Sequence, residues 1–266
     1  MKQPLWITDS TEKATDIDNM QFFLNRKVWR TTLIAVFIVG ISIAGIVIGR
    51  TRNRVQIEFD IHIDKEAIYL SMYAEPPQFA IWLENPVNGK TKQVFVTNRA
   101  GQGDWEGKAD VPVAIPYWST VFKNREEDNI YDGVSGATPK EDYFRVRVEV
   151  PPGSEWICWI EMNLAGDYNN FYPQFNPVTF QEDEFSCGQP ALLYRTEIKA
   201  EKGSRYVPER IFMSLWENGE NRLLSLDSTI TTAQCVFDKI SIQAISPKPV
   251  LIDLNTIEKQ EVLKKE

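Results

Sequence analysis

The sequence predicts a mainly β protein: a β-sandwich tied to a membrane by one N-terminal transmembrane helix, with a long insertion that contains a short helix. Three observations carry this expectation. Apolar residues recur at every second position in several short runs, turn-forming clusters of Gly, Pro and Asn separate those runs, and Thr31 to Gly49 is a nineteen-residue stretch without a charge. Period-two patterning marks strands that bury one face, and many short strands joined by turns favour a sandwich.

The membrane segment comes first in the chain. At ~1.5 Å rise per residue, TTLIAVFIVGISIAGIVIG extends ~28 Å, close to the ~30 Å hydrocarbon core of a bilayer. Arg30 and Arg50 fence it, and the run is too long for a signal-peptide core and lacks an A-x-A cleavage site after it. The expected division is a cytoplasmic tail over 1–30, a transmembrane helix over 31–49, a linker over 50–54, an extracytoplasmic domain over 55–248 and a C-terminal tail over 249–266. Basic residues on the two sides of the span nearly balance. The orientation therefore rests on the usual placement of a short tail inside and a large domain outside.

The elements follow in order. Val55 to Ile63 alternates strictly, with Val55, Ile57, Phe59, Ile61 and Ile63 on one face and Gln56, Glu58, Asp60 and His62 on the other. Phe144, Val146, Val148 and Val150 repeat that period. Phe79 to Leu83 and QVFVT flank ENPVNGKTK, an Asn-, Pro- and Gly-bearing turn between two β-rich runs, which reads as a hairpin. Further strands are expected at Glu155–Leu164, Ala191–Ile198, Arg210–Trp216 and Cys235–Ile245. Between them, Asp110 to Asp128 is an insertion in which PYWSTVFKNREED forms a short helix; loops of this length are often functional.

Composition excludes some functions. The formal charge of −8 opposes general nucleic-acid binding, which needs a basic surface. There is no Walker motif, G-x-G-x-x-G or H-E-x-x-H, and no Cys/His cluster with metal spacing. The single histidine, His62, lies on a polar strand face without a serine or cysteine motif, so no hydrolase pair is expected. Cys158 in WICWI reads as a core thiol, whereas Cys187 and Cys235 are left open between bridge and thiol. Trp156 and Trp159 fall on opposite faces of one strand, and DYNNFYP reads as turns.

One motif stands apart. Asp132, Ser135, Gly136, Ala137 and Thr138 spell D-x-x-S-G-A-T within YDGVSGATPK. Asp132-Gly133 favours a turn, Gly136 permits positive φ, and Pro139 keeps Thr138 extended. The same letters resemble the site in flavin-bearing subunits of membrane electron-transport complexes, where the threonine is esterified to FMN. That resemblance implies Thr138 as the acceptor oxygen, with Ser135, Gly136 and Ala137 keeping the approach clear and Trp118 packing near the ring. Turn and flavin site both remain open at this point.

Taken together, FAIWLENPVNGKTKQVFVT, PYW, DGVSGATP, IEMNLAGDYNNFYP and GQPALLYRTEI resemble, in that order, a family of predicted periplasmic proteins of unknown function. The likeness runs over about residues 77 to 245. It implies an immunoglobulin-like antiparallel sandwich and a place beside membrane redox proteins and flavin-attaching enzymes. The expected role is therefore an accessory or interaction subunit without catalysis of its own. The alternative is an electron-transfer flavoprotein with FMN on Thr138.

Overall fold

The computed structural model describes residues 29–43, 45, 49, 54–102, 104, 105, 108, 109, 113–123, 134–136, 139, 141–217 and 219–247. It divides into Met1–Asn53 with Lys248–Glu266, and Arg54–Pro247. In the first unit residues 29–43 are helical and exposed. Among the described residues no helix is long and apolar enough to cross a membrane, and much of 44–49, the end of the expected span, lies outside them. So do residues 50–53 of the expected linker, the C-terminal tail and all of the first thirty residues but Trp29 and Arg30.

The second unit is mainly β. Its first half runs β1 (Val55–His62), α1 (Lys65–Tyr69), β2 (Gln78–Glu84), β3 (Thr91–Thr97), α2 (Asn98–Gln102), β4 (Asp104–Trp105), β5 (Lys108–Ala109), α3 (Pro116–Lys123) and β6 (Val134–Gly136). Its second half runs β7 (Tyr143–Val150), β8 (Glu155–Asn163), β9 (Ala191–Lys199), β10 (Arg205–Tyr206), β11 (Glu209–Glu217), β12 (Glu220–Ser225), α4 (Ala233–Val236) and β13 (Lys239–Ile245). One sheet has the order β10-β13-β1-β7, a second β12-β11-β9-β8-β2-β3-β6, and β4-β5 form a small ribbon. All these pairings are antiparallel except that of β6 with β3.

β1 shows why the register holds. Val55, Ile57, Phe59 and Ile61 are buried, and a slip of one residue would turn all of them to solvent. On the other face Glu58 lies opposite Arg147 and Asp60 opposite Arg145, each pair in an ion contact. Pairs this exposed contribute only ~0–1 kcal/mol, so the apolar face sets the register. The hairpin turn between β2 and β3 works differently: the Asn85 side-chain oxygen accepts N–H bonds from Val87 and Asn88, and Gly89 takes φ +66°. Asn85→Ala is expected to lower stability by about 1–2 kcal/mol, the worth of the lost bonds, measured as a lower urea midpoint at unchanged m-value.

The main core lies between the sheets. Phe79 packs edge-on against Phe144 at 5.1 Å and Phe237 at 5.3 Å, tying the large sheet to the small one. The larger sheet is also covered on its outer face. There Ala80, Trp82, Val96, Trp159 and Leu193 pack beneath Ile115, Trp118 and Phe122 from the insertion. β2 and β8 are thus buried on both sides, which is why QFAIWLE and WICWIEM do not alternate. Trp156 packs against the inner core and Trp159 belongs to the outer cluster, on opposite faces as expected.

Two expectations are corrected. Cys235–Ile245 is not one strand: residues 233–236 form α4, and β13 begins at Lys239. Gly136, expected to permit a positive φ, instead ends Val134–Gly136, a short strand added to the edge of the large sheet. Cys158, Cys187 and Cys235 are all thiols rather than bridges, and burial pushes the Cys158 thiol well above its ordinary range.

Candidate functional site

The D-x-x-S-G-A-T segment is described only in part. Val96 pairs with Ser135 and Thr97 with Gly136 along the β3–β6 ladder. A Cβ at Gly136 would come within 2.9 Å of the Phe95 ring, so the glycine allows close approach to that side chain. Asp132, Ala137 and Thr138 lie outside the described residues. Trp118 is 3% exposed, and its ring stacks on Phe122 at 5.5 Å within the outer cluster. His62 pairs with Asp238 on the surface, 2.5 Å from ring nitrogen to carboxylate. No group of three or more His, Cys, Asp or Glu among the described residues could hold a metal ion.

The structure adds a buried carboxylate that the sequence reading passed over. Glu161 in β8 is fully buried, facing the insertion rather than the inner core. The backbone N–H groups of Tyr117 and Trp118, in the first turn of α3, donate to its two oxygens at 3.0 and 2.6 Å. A helix start has N–H groups without intrahelical partners and favours negative charge, so Glu161 clamps α3 to the sheet. Burial raises its pKa to about 7, against the opposing pull of the Trp118 N–H, the Ser214 hydroxyl and the Tyr117 N–H. The signal in the sequence was one acid in the doubly buried run WICWIEMN.

The register sorts the loops into two ends. Val55, Val150 and Glu155 lie at the end where the chain enters from Arg54, while His62, Thr97, Asn163 and Ala191 lie at the far end. The far end carries the connections 63–77 and 164–190. Residues 175–182 fold back as a small hairpin: Phe175 bridges Glu182, Phe180 N–H donates to the Asn176 carbonyl, and the Asn176 side chain accepts from Val178 and Thr179. Its tip presents Val178 at 82% and Phe180 at 80% exposure, with Phe171 and Phe175 also exposed. The three non-glycine residues with positive φ, among those described, are Ala74, Phe180 and Ser186, all in these two connections. Such conformations persist only where surrounding bonds enforce them. The connections are joined by Met72 N–H to the Gly166 carbonyl and by Tyr73 to the Ser186 hydroxyl.

At the base of this hairpin opens a cleft of about 260 Å³. Phe171, Tyr172, Phe185 and Trp216 are among its lining residues, as are Asp183 and Asn163. The Asp183 carboxylate accepts N–H bonds from Phe185 and Gly188, while Asn163 Oδ1 is buried without a hydrogen-bonding partner. Behind the cleft Asp167 accepts from the Gln189 N–H at 2.8 Å, and Gln189 holds Thr231. Burial raises the Asp167 pKa to about 8 against the opposing pull of the Gln189 N–H and its own backbone N–H. DYNNFYP is a turn as expected, the Asn169 oxygen accepting from Phe171 and Tyr172. No protein-family model matches the chain, and neither does a curated protein or a solved structure.

Proposed function

We propose that the chain is a single-pass membrane-anchored accessory subunit of a membrane redox system. Its extracytoplasmic domain is an immunoglobulin-like sandwich that binds a partner protein and catalyses nothing itself. The observation that carries this reading is the far-end loop tip, where large apolar side chains stand in solvent on a backbone held by its own hydrogen bonds. An apolar surface with prepaid ordering is the usual mark of an interaction site. The pairing of Ser135 and Gly136 with β3 gives those two letters a structural reason, which favours the interaction reading over the flavoprotein.

A photo-crosslinking amino acid at Val178, in intact membranes, is expected to give a discrete protein adduct that disappears in Phe180→Ser. Labelling of lipid alone, or an adduct indifferent to Phe180, would overturn the reading. The flavoprotein alternative predicts an ultraviolet-fluorescent band on a denaturing gel after co-expression with a flavin transferase, lost in Thr138→Ala.

A further inference from the structure

The cleft at the base of the hairpin combines features that suit one kind of guest. Four aromatic residues, Phe171, Tyr172, Phe185 and Trp216, line it together with Asp183. Aromatic faces attract cations, most strongly when water is excluded, and a guanidinium presents several N–H donors in a plane that stacks on rings. The loop that supplies much of the lining is acidic: from Pro151 to Tyr194 the chain holds no Lys, Arg or His, and Glu182, Asp183 and Glu184 follow one another beside the cleft. The volume of about 260 Å³ falls below the roughly 300–1,000 Å³ of sites for drug-sized ligands. It matches a single side chain rather than a dinucleotide or a flavin.

We propose that this cleft receives an arginine side chain of the partner protein, its guanidinium held between the aromatic walls and the carboxylate of Asp183. The inference rests on the docking reading above and gives its partner a chemistry: an arginine flanked by apolar residues that meet Val178 and Phe180. An anionic membrane surface is disfavoured by the acidic surroundings.

The test uses the full chain in a nonionic detergent, titrated with the peptide acetyl-Gly-Arg-Gly-amide, its citrulline counterpart and choline. The arginine peptide is expected to bind at least about ten-fold more tightly than the citrulline peptide, and the preference should shrink as salt rises. It should also slow alkylation of Cys187, which lines the cleft, in a Cys235→Ser background. Asp183→Asn and Trp216→Leu should each weaken binding about five-fold or more, and Trp216→Leu decides the matter if the first variant fails to fold. Equal binding of both peptides, no binding, or unchanged binding in Trp216→Leu would overturn the proposal. Choline binding tighter than the arginine peptide would overturn it in favour of a small organic cation. A Val178 adduct that persists while the peptide fails to bind leaves the docking reading standing and removes the arginine.

Discussion

Glu161→Ala is expected to cost about 2–6 kcal/mol and to loosen α3 from the sheet. The carboxylate is fully buried, and its removal strands the N–H groups of Tyr117 and Trp118, each orphan costing ~1–3 kcal/mol. The same residue gives the domain a pH dependence of definite sign. Burial lifts the Glu161 pKa from 4.5 to about 7, so between those values the folded chain binds more protons than the unfolded one. Stability is therefore full below about pH 4.5 and falls as pH rises through 7. A rise of that size corresponds to something of order 3 kcal/mol. Asp167, raised from 3.8 to about 8 by burial, acts in the same direction. Urea midpoints should thus be higher at pH 5 than at pH 8, with the difference reduced but not abolished in Glu161→Gln. Equal midpoints at the two pH values would contradict the burial of both carboxylates.

Gly188→Ala carries the other large effect. Gly188 holds φ +71°, and a Cβ there would lie 2.4 Å from Asp167 Oδ1 and 2.8 Å from the Asp167 backbone nitrogen. Backbone cannot yield as a side-chain tip can, so the clash adds to the strain of a left-handed residue. A loss of about 3 kcal/mol or more is expected, seen as a fall in Tm of roughly 6–12 °C for a domain of this size. Gly153 supplies the control: it has φ +72° but nothing within 4 Å of its Cβ position, so Gly153→Ala should cost only about 1 kcal/mol. The cleft floor at Gly188 and Gln189 should be displaced in the first variant and intact in the second.

The strands that bury one face were plain in the sequence. β1 and β7 alternate because one side meets the core and the other meets water, and the Asn85 turn carries its own chemistry. The helix in the insertion was legible too, as Pro116–Lys123. What periodicity concealed was the second buried face of β2 and β8. A strand covered on both sides loses its polar phase, so Ala80, Trp82 and Trp159 gave no hint of the layer above them. β6 pairs three residues with a strand far back in the chain, a contact without local signature. α4 replaced the expected start of a strand because Cys235 and Val236 are apolar enough for either state. Of the candidate site, the loop 164–190 could be read as turns, but its walls come from β11 and the loop together, and only folding joins Trp216 to Phe171 and Asp183.

The position of β1 has a mechanical consequence. The chain enters the domain at Arg54 and passes at once into a strand bonded on both sides, to β13 and to β7. Tension arriving along the preceding segment is therefore shared by two ladders rather than peeling a single edge. Such a joint resists pulling until many backbone bonds break together.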